Sequence, residues 1–310
     1  VIDASDVRAA AARISGRIRR TPVLETRPFA DGARTWLKLE QIQHTGSFKA
    51  RGAFNRLLSA AEAGALPDAG VVAASGGNAG LAVAYAAAEL GVAAEIYVPE
   101  TAPAVKVAGL RALGAEVVQV GAKYADAYEA AAKRCADTGA LFCHAYDQPE
   151  ICAGQGTLGL ELLEQTSGEV DTIVAAVGGG GLMAGIAAAV EGRVRVVGAE
   201  PEGIPTLHRA LRAGAPVDVE VSGVAADALG ATRLGQIAFD VAVRTGVRSV
   251  LVPDEAITAA RRWLWERYRL LVEHAAATAV AAVRTGAYRP APGERVAVVL
   301  CGGNTDPASL

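Results

Sequence analysis

The sequence predicts an α/β protein built on two open, twisted, mostly parallel sheets flanked by helices. Short Val/Ile-rich runs alternate with Ala/Leu-rich helical stretches along most of the chain. The runs are apolar nearly throughout, as expected of strands covered on both faces. Two glycine-marked turns, Ser75–Gly80 and Gly178–Gly185, each follow such a run and open a helical stretch. The strand candidates are Thr35–Glu40, Val71–Ala74, Glu95–Val98, Glu116–Val120, Thr172–Val177, Arg195–Glu200, Ser249–Val252 and Arg295–Cys301. Between them, Val7, Ala11, Ile14 and Ile18 keep one helical face, as do Phe54, Leu57, Leu58 and Ala61. No Pro/Ser-rich linker, low-complexity tract or repeat divides the chain. The two turns instead mark two units: residues 70–147 form a smaller one, and residues 1–69 with 148–310 a larger one. A site is expected between them, at the carboxyl ends of strands.

With 310 residues, 52% hydrophobic and 20% charged, the chain has ample core and no signature of disorder. Its 33 acids and 30 bases, net −3, give no electrostatic reason to bind nucleic acid or an anionic membrane. Cys135, Cys143, Cys152 and Cys301 lack CxxC spacing, so neither a zinc site nor a disulfide framework is indicated. The opening VIDASDVRAA reads as an amphipathic helix rather than a signal peptide, and no uncharged run reaches membrane-spanning length. A soluble protein of a reducing cytoplasm, acting on a small molecule, is expected. There is no GxSxG elbow, GxxxxGK[ST] loop or HExxH pair, which removes serine hydrolases, P-loop NTPases and zinc proteases.

Four stretches carry chemistry. Gly178-Gly179-Gly180-Gly181 follows a buried strand and opens a helix near Leu182. Without side chains, its backbone N–H groups can converge on an anion at the positive helix end. A tight turn needs only one or two glycines, so four favour a phosphate cradle. Gly179-x-Gly181-x-x-Ala184, with Glu200 ending the next strand, also fits the loose dinucleotide fingerprint and keeps a nicotinamide-dependent dehydrogenase as an alternative. Ser75-Gly76-Gly77-Asn78-Ala79-Gly80 can bind a carboxylate through N–H groups and a hydroxyl, or can simply cap a helix through Ser75 or Asn78. Lys49 follows Ser47, a candidate N-cap, in the first turn of a helix; the helix end and Arg51 are expected to depress its pKa toward the neutral amine that Schiff-base chemistry needs. The only other lysines are Lys38, Lys106, Lys123 and Lys133, among 30 Lys and Arg residues. Cys301-Gly302-Gly303-Asn304 ends the last strand with a thiol at its tip, which by spacing alone is a small core residue.

Together the four stretches resemble the fold-type II pyridoxal-phosphate (PLP) enzymes, which share the tryptophan synthase β-like fold, and specifically the serine/threonine dehydratase and serine racemase branch. The likeness runs through essentially the whole chain in the right order; the sulfhydrylase branch, with another lysine motif and a GTGGT-type cup, is less similar. In Gly46-Ser47-Phe48-Lys49-x-Arg51-Gly52-Ala53, Lys49 matches the Schiff-base lysine and Phe48 the residue beside the cofactor ring. Ser75, Gly76, Gly77, Asn78 and Ala79 match the substrate-carboxylate loop, with Asn78 also placed to bond the ring's 3-hydroxyl. Gly178 to Gly181 and Leu182 match the phosphate cup, Cys301 the group facing the pyridine nitrogen, and Gly235 and Glu273 residues near the ring.

The resemblance implies a homodimeric ammonia-lyase acting on L-serine, L-threonine or 3-hydroxyaspartate. Lys49 removes the α-proton, the β-hydroxyl leaves, and a 2-oxo acid and ammonia result. Serine racemisation and a non-catalytic amino-acid-binding role are the alternatives within this fold. In racemases of the branch a serine follows the residue matching Ser75; here it is Gly76, which argues for elimination. Members that bind a divalent cation use the acid matching Glu200 with a second acid six residues on; Thr206 stands there, so a metal site is not expected. Glu273-His274 and Asp227-Ala228 depart from the family's Glu-Pro and Asp-Gly, which leaves the substrate open.

Overall fold

The computed structural model describes residues 1–26 and 33–310. Helix α1 (Ala4–Arg13) is started by Asp3, whose carboxylate accepts the N–H groups of Ser5 and Asp6. Strands β1 (Val23–Thr26) and β2 (Arg34–Leu39) and helix α2 (Lys49–Glu62) follow. The next elements are β3 (Val71–Ala74), α3 (Asn78–Leu90), β4 (Ala94–Val98), α4 (Ala104–Ala112), β5 (Glu116–Gln119), α5 (Tyr124–Thr138) and β6 (Leu141–Phe142). Helix α6 (Pro149–Gln165) leads to β7 (Thr172–Ala176), α7 (Gly181–Ala189), β8 (Arg195–Pro201), α8 (Thr206–Ala213), α9 (Ala226–Leu229), α10 (Gln236–Thr245) and β9 (Arg248–Val252). The chain closes with α11 (Asp254–Tyr268), α12 (His274–Arg284) and β10 (Arg295–Leu300).

Two sheets result. One has the order β5-β4-β3-β6 and is parallel throughout; the other has the order β1-β2-β10-β7-β8-β9 and is parallel except for β1. Parallel neighbours need helical crossovers, which is why strand and helix alternate so regularly. Strands β3, β7 and nearly all of β10 are buried, and α12 is buried from Ala275 through Val283, so these segments read apolar on every face. The predicted strands all form, with ends shifted by a residue or so. Two were not anticipated: β1 is a partly polar edge strand, and β6 is too short to show a pattern. Among the described residues no helix is long and apolar enough to cross a membrane.

Topology delivers the chemistry to one place. Because β2, β10 and β7 are parallel neighbours, the loops leaving their carboxyl ends emerge side by side, carrying residues 40–48, 301–304 and 177–180. Helix α6 then fixes two of the following helices at backbone contact. A Cβ on Gly185 would lie 2.2 Å from Cys152 O, and one on Gly154 would lie 2.6 Å from Arg51 O. Glycine at these positions brings α7 and α2, and hence the glycine loop and Lys49, against the same helix.

Candidate active site

Lys49 begins α2. Its Nζ donates to Ala145 O at 2.7 Å and stands 5.0 Å from the centre of the Phe48 ring. Burial pushes its pKa down to about 8, the nearby Cys152, Cys301 and Glu273 pulling the other way. Two expectations change here. Arg51 is not what lowers Lys49: its guanidinium points away and grips Glu40 at 2.8 and 2.7 Å and Glu161 at 2.9 Å, with both Arg51 and Glu40 fully buried. The N-cap is Phe48 rather than Ser47, whose hydroxyl lies 3.4 Å from Lys49 N. The Arg51 pair pins the first turns of α2 from behind and leaves the amine facing the cleft. Breaking such a pair costs about 3–5 kcal/mol.

The glycine loop is shaped so that no side chain fits. A Cβ on Gly179 would sit 2.3 Å from the Tyr146 ring, one on Gly180 2.5 Å from Ala238 Cβ, one on Gly181 2.6 Å from Tyr146 O, and one on Gly178 3.0 Å from Leu229 backbone. Gly180 also holds φ +88°, a left-handed conformation that glycine adopts freely. Helix α7 starts at Gly181, one residue before the expected Leu182, which is buried in its first turn. Gly235 belongs to this wall, its N–H donating to Gly179 O at 3.0 Å. The loop is a side-chain-free cradle at the positive end of a nine-residue helix, and it fits a phosphate ester. Beneath it lies Gln155 of α6, 1% exposed, with neither Oε1 nor Nε2 bonded.

The opposite wall is the turn after β3. Ser75 Oγ accepts from Gly77 N at 3.3 Å, and neither Ser75 nor Asn78 caps α3, whose N-cap is Gly77. Gly80 is required by close approach, since a Cβ there would meet Ser75 O at 1.9 Å. Gly76 and Gly77 have open or ordinary surroundings and no left-handed φ. Asn78 Nδ2 bonds Glu273 Oε1 at 2.9 Å, and its Oδ1 accepts from Asn304 Nδ2 at 2.7 Å. Asn304 also donates to Thr45 O at 2.7 Å, so the loops after β3, β2 and β10 are tied through one amide chain. Burial raises Glu273 to about 7, against the lowering effect of the Asn78 bond. Cys301 lies at the end of β10, buried, its thiol pushed well up by burial and so protonated. A cavity of about 740 Å³ opens beside this turn, lined by Gly76, Asn78, Glu273 and Asn304 and spanned by the Lys106–Asp227 ion pair.

Other sequence-derived expectations resolve locally. Glu200 is fully buried, and its oxygens accept from Leu207 N at 2.6 Å, His208 N at 2.9 Å and Ser249 Oγ at 2.9 Å. It caps α8, and its oxygens are taken up by these donors. Among the described residues no group of three His, Cys, Asp or Glu side chains is arranged around a metal position. His274 takes the first position of α12 after Glu273, where proline is merely well tolerated, so that departure does not reach the cleft. Ala145, Tyr146, Gln155 and Asn304 were not anticipated. The sequence signal was Gly154-Gln155-Gly156, a polar residue flanked by glycines inside a helical stretch.

The comparisons with known proteins agree with this geometry. The pattern of the pyridoxal-phosphate-dependent enzymes matches residues 14–302. A phenylserine dehydratase of Ralstonia pickettii is 38% identical, over 99% of this chain and 95% of its own. An L-threonine ammonia-lyase of Thermotoga maritima is 36% identical, over 99% of this chain and 76% of its own. The solved structure of maize serine racemase superposes with a TM-score of 0.91 at 31% identity, covering 99% of this chain and 95% of that one. The dinucleotide alternative falls with these matches: the chain belongs to the pyridoxal-phosphate-dependent enzyme family, with the fold-type II architecture.

Proposed function

We propose that the protein is an ammonia-lyase that eliminates the β-hydroxyl of a hydroxy amino acid, giving a 2-oxo acid and ammonia. The observation that supports the reading most is that the helix begun by Lys49 and the helix opened by the side-chain-free glycine loop meet the same helix α6 at backbone contact, with burial lowering the pKa of the Lys49 amine to about 8. The names of the relatives, phenylserine dehydratase and L-threonine ammonia-lyase, point the same way. Bound PLP would supply an electron-accepting ring that takes up the pair left by the α-proton.

Gly178 to Gly181 would hold the phosphate, Lys49 the aldehyde carbon, and Phe48 one face of the ring. Cys301 would meet the ring's edge with an uncharged thiol, which could not hold the pyridine nitrogen protonated as a carboxylate would. Ser75, the N–H groups of residues 76–79 and Asn78 would receive the substrate carboxylate. Near neutral pH Lys49 exchanges readily between amine and ammonium, which suits a group that removes the α-proton and releases it again. Residues 70–147 act as the substrate-loop domain and the remainder as the PLP-binding domain. The same reading makes the protein a cytoplasmic homodimer, which size-exclusion chromatography checks.

Racemisation is the second reading, favoured by the likeness to serine racemase. It needs a proton donor on the face opposite Lys49, and Gly76 has none. The test is a panel assay for 2-oxo acid release from L-serine, L-threonine, 3-hydroxyaspartate and phenylserine. Release from at least one of them is expected; release from none would refute the proposal.

A further inference from the structure

Gln155 is the one buried side chain in the cleft floor whose whole carboxamide lacks a partner among the described residues. Such a group costs stability unless something meets it. Its surroundings say where that partner would be. Oε1 would lie 2.9 Å from a Cβ on Gly181, and Nε2 3.3 Å from one on Gly52. Gly181 starts the glycine-loop helix, and Gly52 is in the first turn of the Lys49 helix, so the carboxamide sits where the phosphate cradle and the amine helix converge on α6. Amide oxygen and nitrogen exchange places by a simple flip, so a donor can face the Gly181 end at no steric cost.

We propose that Gln155 is a further ligand of the phosphate ester, donating its amide N–H to the anion from below the cradle. The inference rests on the PLP reading of the site and extends it: the backbone groups of Gly178 to Gly181 would form the upper part of the cup, and Gln155 would add a side-chain donor. It also gives a partner to the one buried polar side chain of α6 that lacks one among the described residues, since Thr157, Glu161 and Gln165 are all bonded.

The test compares Gln155→Met, which keeps the shape and removes the polar atoms, with Gln155→Glu, which keeps the shape and adds an acceptor. Apoprotein is titrated with PLP and, separately, with pyridoxal, which lacks the phosphate; the phosphorus-31 shift of the bound cofactor and the apoprotein melting temperature are also recorded. Loss of a hydrogen bond to a charged group predicts about ten- to a hundredfold weaker PLP binding for Gln155→Met. The loss should be larger for Gln155→Glu, with little change for pyridoxal and a moved phosphorus signal. The melting temperature of Gln155→Met apoprotein should not fall, because an unpartnered amide has been removed. Unchanged PLP affinity and phosphorus shift would overturn the proposal and leave a buried water as the partner. Equal losses for PLP and pyridoxal would also overturn it, showing a packing role. Failure of the unaltered protein to take up PLP would instead overturn the reading of the site on which the inference depends.

Discussion

Two lysines in this chain are withdrawn into the protein, and their settings differ in kind. Lys38, in β2, has all three ammonium donors filled, by Thr21 O at 2.7 Å, Glu161 Oε1 at 2.6 Å and Gln165 Oε1 at 2.8 Å. Among the described residues Lys49 has one acceptor, Ala145 O, and no carboxylate bonded to it. Burial lowers the pKa of both, but at Lys38 the Glu161 charge opposes the fall directly. A cation with three acceptors and a counter-ion is a structural charge. An amine with one neutral acceptor, beside an open cleft, can lose its proton and act. Motif position distinguishes the two, but the physical cause is the number of oxygens the fold places around each nitrogen.

The largest expected effect separates them outright. Lys49→Ala should lower turnover by about 10³-fold or more without lowering the unfolding free energy. Lys38→Met should do the reverse, costing about 3 kcal/mol by breaking its buried pair with Glu161, which then keeps only Arg51, with a rate within about threefold of the parent. Steady-state kinetics and urea unfolding on both variants decide it. Next in size is Gly180→Asp, where a carboxylate would meet both the left-handed φ and the Ala238 and Leu234 side chains. About tenfold or greater loss of PLP affinity is expected, read as cofactor retained after dialysis.

Titration gives a smaller effect with a definite sign. Lys49 has its folded pKa lowered from 10.5 to about 8, so between these values the unfolded chain holds a proton the native apoprotein has shed. Apoprotein stability should therefore rise with pH across that interval, and Lys49→Met should remove part of the rise. Glu273, raised from 4.5 to about 7, acts oppositely: the native state holds the extra proton, and stability falls as pH rises from 4.5 to 7. Glu273→Gln should flatten that fall in pH-resolved urea unfolding. Smallest is the gain expected from Gly76→Ser. Gly76 has no left-handed φ, and a Cβ would find only Val98 Cγ1 at 3.5 Å, so a serine fits without strain. Trace D-serine from L-serine is predicted by chiral chromatography, with none from the parent.

The strands covered on both faces were the most plainly legible in the sequence, though the half-exposed β5 and β9 were read as well. β3, β7 and β10 announce themselves because both faces are covered, and the Gly178–Gly181 turn because close approach excludes every other residue. What was not legible depends on contacts between distant segments. Nothing local shows that Arg51 turns from Lys49 toward Glu40 and Glu161, that Asn78 meets Glu273 and Asn304, or that Ala145 O receives the Lys49 amine. Glu200 misled because an acid ending a strand looks the same whether it awaits a ribose or caps the next helix.

Borohydride reduction of the protein after incubation with PLP, followed by peptide mapping, tests the central claim most directly. The account predicts a yellow protein that bleaches on reduction and carries one stable adduct, on Lys49. An adduct on Lys38 or on any other lysine, or no chromophore at all, would contradict it.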